Sequence, residues 1–235
     1  MMRRTLAILA LVLAAAPALA QSAASDDAGK KVKDGSLPAG WRGRTDRPTQ
    51  KLSDAKFTTM GKGYHVTSGP AAIYWHEKHK LTAPYTVTAT MTQTKAPTHP
   101  EAYGIFLMGS KLDQPDLSYF YVLVRGTGDV LVSHRAGADV HTVKPWAPNA
   151  AVVKQDASGK ATNTFRVVAA ADSTRVWING TPVFALAASY AQANGYAGLR
   201  VNHNLDIHVD EFTVTPGSSA SAKKKAKRAP AKRGY

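Results

Sequence analysis

Asp206, His208 and Asp210 alternate along a short apolar run, and His203 stands just ahead of them. Carboxylates and imidazoles two residues apart on a strand share one side, a spacing that suits acid and base work. His203, Asp206 and His208 are therefore the candidate catalytic groups. Phe212 and Val214 continue the same parity with core-type side chains. The pattern thus changes phase near Asp210, which predicts a bulge or strand end and makes solvated or turn-stabilising groups the plainer reading of the triplet. A second set has sugar-binding character, meaning aromatic surface beside planar hydrogen-bonding groups. Tyr119, Tyr121 and Arg125 alternate with Phe120, Val122 and Val124, and Arg200 and Asn202 alternate with Leu199 and Val201. If both polar faces line one sheet, these five residues bind a ligand; otherwise they cover a solvent-facing sheet. Trp75 and Trp146 are candidates for the rim, and Trp177 reads as core.

Metal chemistry finds less support. His76 and His79 are three apart, not the four that put two imidazoles on one helix face, and they follow an apolar run, Ala71 to Trp75. The histidines at 65, 76, 79, 203 and 208 could converge in space, but no spacing in the sequence shows it. The chain has no cysteine, which excludes disulfides, thiolate metal sites and a cysteine nucleophile. The expectation is no metal and no cofactor.

The elements that must position these groups are strands. Tyr85, Val87, Ala89 and Met91 alternate with threonines, a half-buried strand. Further runs cover Glu101 to Gly109, Leu117 to Arg125, Val130 to Arg135, Thr164 to Ala169, Thr174 to Ile178, Thr181 to Leu186, Tyr196 to Asn202 and Leu205 to Val214. Gly126 to Asp129 and the pair Asn179 and Gly180 read as hairpin turns. Ala187 to Asn194 reads as one helical turn. About ten to twelve short strands at this spacing predict an all-β protein, a sandwich of two antiparallel sheets.

The ends differ in composition. Arg3 and Arg4 precede a 12-residue apolar run from Thr5 to Ala16, and Ala18, Leu19 and Ala20 follow Pro17. A helix of that length spans about 18 Å, against roughly 30 Å for a bilayer core, so residues 1–20 read as a cleavable export signal. No transmembrane segment is expected after cleavage, and the location is periplasmic or secreted. Residues 21–36 read as a disordered lead-in, 37–216 as the folded unit, and 217–235 as a disordered polybasic tail with seven Lys or Arg and no acid. The net charge of +14 loses two to the leader and seven to the tail, leaving +5 for residues 21–216. That balance argues against specific nucleic-acid recognition by the fold. It leaves the tail as the element that meets anionic surfaces, whether glycan, lipid headgroup or wall polymer.

Thr164 to Val168, Arg175 to Phe184, the run of Gly195, Gly198 and Leu199, and the closing Asp210, Phe212 and Val214 resemble the end of a concanavalin A-like jelly roll. Laminin-G-like domains and the bacterial domains related to 3-keto-glycoside hydrolases share this order: an Asn-Gly hairpin, a Gly-x-x-Gly-Leu strand and a final Asp-x-Phe-x-Val strand. The likeness covers about residues 55–215 and implies a jelly-roll sandwich. Glucanases of this fold place a Glu-x-Asp-x-x-Glu motif on one strand. Here Glu77 and Glu101 are the glutamates between the lead-in and residue 200, and no such motif exists. Laminin-G-like domains also suggest calcium, for which Asp113 and Asp116 offer oxygens, although a proline-containing turn explains both. The function expected is an exported module that binds a carbohydrate or envelope polymer without catalysis. The alternatives are a hydrolase of the 3-keto-glycoside type using His203, Asp206 or His208, and a structural envelope protein.

Overall fold

The structure is a computed structural model, and it describes residues 36–217. The expected leader, the basic tail and almost all of the lead-in lie outside them. Fourteen strands follow in order: β1 (Trp41–Thr45), β2 (Lys56–Met60), β3 (Gly63–Thr67), β4 (Ala72–Leu81), β5 (Tyr85–Gln93), β6 (Ala102–Ser110), β7 (Ser118–Arg125), β8 (Asp129–Ala136), β9 (Asp139–Pro148), β10 (Ala161–Ala169), β11 (Ser173–Ile178), β12 (Thr181–Ala187), β13 (Gly195–Val201) and β14 (Asp206–Pro216). Among the described residues the one helical element is a 3-10 turn at Leu52–Asp54, and no helix is long and apolar enough to cross a membrane. The front sheet runs β1-β4-β13-β6-β7-β8-β9, and the back sheet β12-β11-β10-β5-β14-β3-β2. This is the all-β sandwich of two antiparallel sheets that the strand pattern predicts.

The alternating faces read from sequence are the faces observed. Val87, Ala89 and Met91 of the back sheet meet Tyr103, Ile105, Val122 and Val124 of the front sheet in one core. On the opposite face of the front sheet, Ile73, Trp75, Phe106, Tyr119, Tyr121 and Leu123 form a second buried cluster, which Leu112 and Leu117 join from the β6–β7 connection. Trp75 is therefore buried and not a rim residue. Trp177 departs from expectation in the other direction. Its neighbours Val176 and Ile178 hold the core positions, and Trp177 lies under the Arg166 guanidinium at 5.2 Å. The register of β14 against β5 shifts between Val209 and Glu211, so the phase change near Asp210 is a bulge.

Five strands were not read as such, among them β4, of which only the apolar first half, Ala71 to Trp75, stood out. β9 is an edge strand with mostly exposed residues and two prolines; an edge tolerates both, because one side makes no ladder bonds. β1, β2 and β3 are five residues each, too short for alternation to show. In place of the expected helical turn, residues 188–190 form a turn in which the Ala187 carbonyl accepts from Tyr190 N–H at 3.0 Å and Ala191 N–H at 3.4 Å.

The Asn179-Gly180 turn has φ of 49° and 81° at its two residues, the two left-handed positions of a type I′ hairpin. Asn179 also ties the turn down. Its amide donates to the Ala151 carbonyl and to Asn163 Oδ1, both at 2.8 Å. A Cβ at Gly180 would meet nothing within 4 Å, so Gly180→Ala should cost only the left-handed penalty of about 1–2 kcal/mol. A urea midpoint lowered by that energy divided by the slope, with the slope itself unchanged, is the expected result.

His76 and His79 close an aromatic cluster around Trp41, with His76 at 5.8 Å, His79 at 6.0 Å and Phe212 at 5.7 Å between ring centroids. Burial, helped by the charge of His76, pushes the His79 pKa down to about 4. The unfolded chain therefore takes a proton near pH 6.5 that the folded chain refuses until about pH 4. The contribution is full above 6.5 and is lost as the pH falls through that window. His79→Phe should flatten the loss of stability between pH 7 and 4.5, measured by denaturant midpoints. Proton NMR should show His79 still neutral at pH 5.5.

Candidate functional site

The site is built where three front-sheet strands end together. β6 starts at Ala102, β7 ends at Arg125 and β13 ends at Val201. Ala102 pairs with Arg125 on one side, and Asn202 N–H donates to the Ala102 carbonyl at 2.9 Å on the other. That register brings Glu101 beside both Arg125 and His203. The connection from β5 arrives through Pro97 and Pro100, which cannot donate to a ladder and so keep the segment out of either sheet. It delivers His99 to the same point.

Three atoms meet there. His99 Nε2 lies 2.9 Å from His203 Nε2 and 3.1 Å from Glu101 Oε1, and His203 Nε2 lies 3.2 Å from the same oxygen. Glu101 and His203 are buried and His99 is half-buried. Thr98 Oγ1 lies 3.2 Å from His99 Nδ1 and fixes that ring. His99 and Glu101 line a cleft of about 170 Å³ with Pro97, Thr98, Thr127 and Gln155. Gln155 is held by Gln93, whose amide donates to Gln155 Oε1 at 2.8 Å. Beside the cleft, the Arg125 guanidinium sits 3.8 Å above the Trp146 ring. Burial lowers the Arg125 pKa, and the negative charges of Glu101 and Asp129 act in the opposite sense. Arg125 Nε and Asn202 Oδ1 are buried without a hydrogen-bond partner, a state in which few native polar atoms are left. Together the groups offer proton donors and acceptors, a cation and a set of metal-ligating atoms around one concavity.

The sequence candidates divide among three places. His203 joins this cluster, packed behind the cleft against His99 and Glu101. Asp206 and His208 do not join it. They alternate with buried Ile207 and Val209 on β14 and so face outward from the back sheet. There Asp206 bonds His65 at 2.9 Å, Lys95 at 3.1 Å and Thr94 at 2.5 Å, while His208 faces Asp210 at 3.3 Å. Burial raises the Asp206 pKa, but Thr94, Lys95 and His65 outweigh it and hold the carboxyl below its ordinary value. The three candidate catalytic groups thus have separate partners.

Tyr119, Tyr121 and Arg200 do share one face, with Arg200 4.9 Å from the Tyr121 ring, yet all three are buried. Arg200 grips Asp46 through two bonds of 2.7 and 2.6 Å, and Arg135 adds a third contact at 3.0 Å. Arg125 and Asn202, the other two, are the members of that set beside the cleft. Asp113 and Asp116 each close on a cation, Arg42 and Lys111, and not on a common point. His99 and Glu101 were missed. His99 and His203 are 104 residues apart, and no local spacing announces such a pair.

The model of the 3-keto-alpha-glucoside-1,2-lyase-like domain matches residues 29–215. The chain belongs to that family. No curated protein matches it. Among solved structures, this family member is similar to the carbohydrate-binding module CBM66 from Bacillus subtilis, at 11% identity and a TM-score of 0.54, over 75% of this chain and 95% of that one. It is similar also to a glycoside hydrolase family 16 endo-glucanase from Bacteroides ovatus, at 11% identity and a TM-score of 0.52, over 74% of this chain and 94% of that one. At such identities the likeness shows the fold, the jelly roll used by carbohydrate-binding modules and glycoside hydrolases alike.

Proposed function

We propose that this chain is an exported glycoside-processing protein that takes a keto-glycoside in the cleft bounded by His99, Glu101, Thr127 and Gln155. The observation that carries the reading is the convergence of two imidazole nitrogens and a buried carboxylate oxygen beside a cleft that His99 and Glu101 line, in a chain of a lyase-like family. A 1,2-elimination from a 3-keto glucoside needs few groups. The keto group acidifies the C2 proton. The C2–H bond breaks, C1=C2 forms, the C1–O bond to the aglycone breaks, and the aglycone oxygen takes a proton to leave as an alcohol. Charge develops on the keto oxygen, and preorganised cations are what stabilise such an oxyanion. Arg125, held over Trp146 beside Glu101, is the cation offered for that role, and the cleft's titratable groups manage the protons.

The test is incubation of the purified protein with a 3-keto-α-glucoside. Expected are release of the aglycone and growth of an ultraviolet-absorbing enone. The second reading is glycan binding without turnover, with Arg125 and Asn202 offering their unpaired polar atoms to hydroxyls. Saturable saccharide binding with no enone at any pH would favour it and sink elimination.

A further inference from the structure

We infer that His99, Glu101 and His203 hold one divalent transition-metal ion. The argument is a count of protons. Each Nε2 carries either one hydrogen or one lone pair, never both. The three contacts are 2.9, 3.1 and 3.2 Å, all within hydrogen-bond range. If both imidazoles carry Nε2–H and donate to Glu101, two N–H groups face each other at 2.9 Å. If His99 donates to His203, the nitrogen of His203 turns its lone pair to the carboxylate at 3.2 Å. The reverse donation puts the lone pair of His99 against the same carboxylate at 3.1 Å. With Glu101 ionised, no arrangement of protons makes all three contacts attractive. A single cation does, because all three atoms can then present lone pairs to it.

The geometry suits such an ion. Ligand atoms about 2.0–2.2 Å from a metal, at tetrahedral to octahedral angles, lie about 2.8–3.6 Å apart, and the three observed separations fall inside that range. Thr98 Oγ1, 3.2 Å from His99 Nδ1, is placed to accept Nδ1–H and so leave Nε2 free to ligate, the outer contact that ligating histidines usually have. Two imidazoles with one carboxylate select first-row transition ions over calcium or magnesium, which prefer all-oxygen shells. Because His99 and Glu101 also line the cleft, the remaining positions of the ion open on it. There they would take water or two neighbouring oxygens of a sugar. That last clause rests on the saccharide reading; the ion site does not.

The experiment uses tag-free protein stripped with a chelator and titrated with Zn²⁺ and Co²⁺ in the absence of sugar. Expected is one equivalent per chain, a Co²⁺ visible absorption band, and affinity at least 100-fold weaker in both E101Q and H99A/H203A. Circular dichroism identifies any variant that fails to fold, and His99→Asn then serves in place of the double variant. Less than one equivalent bound by the natural protein, or binding unchanged in folded variants, overturns the site. Saccharide binding measured on the stripped protein keeps the two readings apart. Sugar bound with no ion site sinks this inference alone, and an ion bound with no sugar under any loading sinks the proposed function alone.

Discussion

Asp46→Ala should lower the stability of the fold by about 3 kcal/mol, a large share of a typical domain's total. Arg200 is the reason. Its guanidinium lies on the second face of the front sheet, 8% exposed, and its two short bonds run to Asp46, itself 24% exposed. Removing one partner of a buried pair leaves the other charge in an apolar setting, typically at a cost of about 3–5 kcal/mol. The lower end applies because Asp46 retains contact with solvent and because Tyr119 Oη, 3.3 Å from Arg200, remains. For a unit of this size the melting temperature should fall by roughly 10 °C. Asp46→Ala with Arg200→Met should regain much of the loss, since it removes both charges. If the double variant melts no higher than the single, the pair is not the source.

The same carboxyl sets an acid limb. Burial raises the Asp46 pKa, but the charges and hydrogen bonds of Arg200 and the charge of Arg135 outweigh it, and the net is a lowered value. The unfolded carboxyl titrates near 3.9, so its stabilisation is present above that pH. It is lost as the pH falls toward the lower folded value. Asp46→Asn should therefore shrink the stability difference between pH 5 and pH 3.

The contrast between Asp46 and Glu101 shows what a sequence can reveal of this fold. Alternation marked the buried faces of β5, β7 and β13 because burial on one side imposes a period of two. The bulge at Asp210 was visible for the same reason, since Val209 and Phe212 cannot both face the core without an extra residue between them. Arg200 was legible as a polar residue opposite Leu199, but its partner was not, because Asp46 follows a five-residue strand that has too few residues to show a period. The site was hidden for a different reason. His99 and Glu101 sit on a connection shaped by prolines, and what brings them to His203 is the pairing of Asn202 with Ala102, a tertiary register. Asp206 and His208 had the better local spacing and the wrong surroundings.

Glu101→Gln should abolish most turnover while leaving the fold nearly as stable. Glutamine has the same shape, so neither a cavity nor a lost packing contact is expected at this buried position. What changes is charge and protonation. The amide cannot accept a proton, neutralise an imidazolium or bind a cation as a carboxylate does. Loss of a positioned proton-transfer group costs about 10²- to 10⁴-fold in rate, and a fall in enone formation of about 100-fold or more is expected. Arg125→Lys supplies the comparison. Lysine keeps the charge but cannot stack on Trp146 as a planar guanidinium does; the effect there should fall on KM and kcat together, through a misplaced cation. If Glu101→Gln instead raises KM with kcat unchanged, the carboxylate only holds the sugar, and the cleft is a binding site without chemistry. The two variants thus separate a group that acts on the reacting atoms from one that holds another group in place, because only the first leaves ground-state binding intact while the rate collapses.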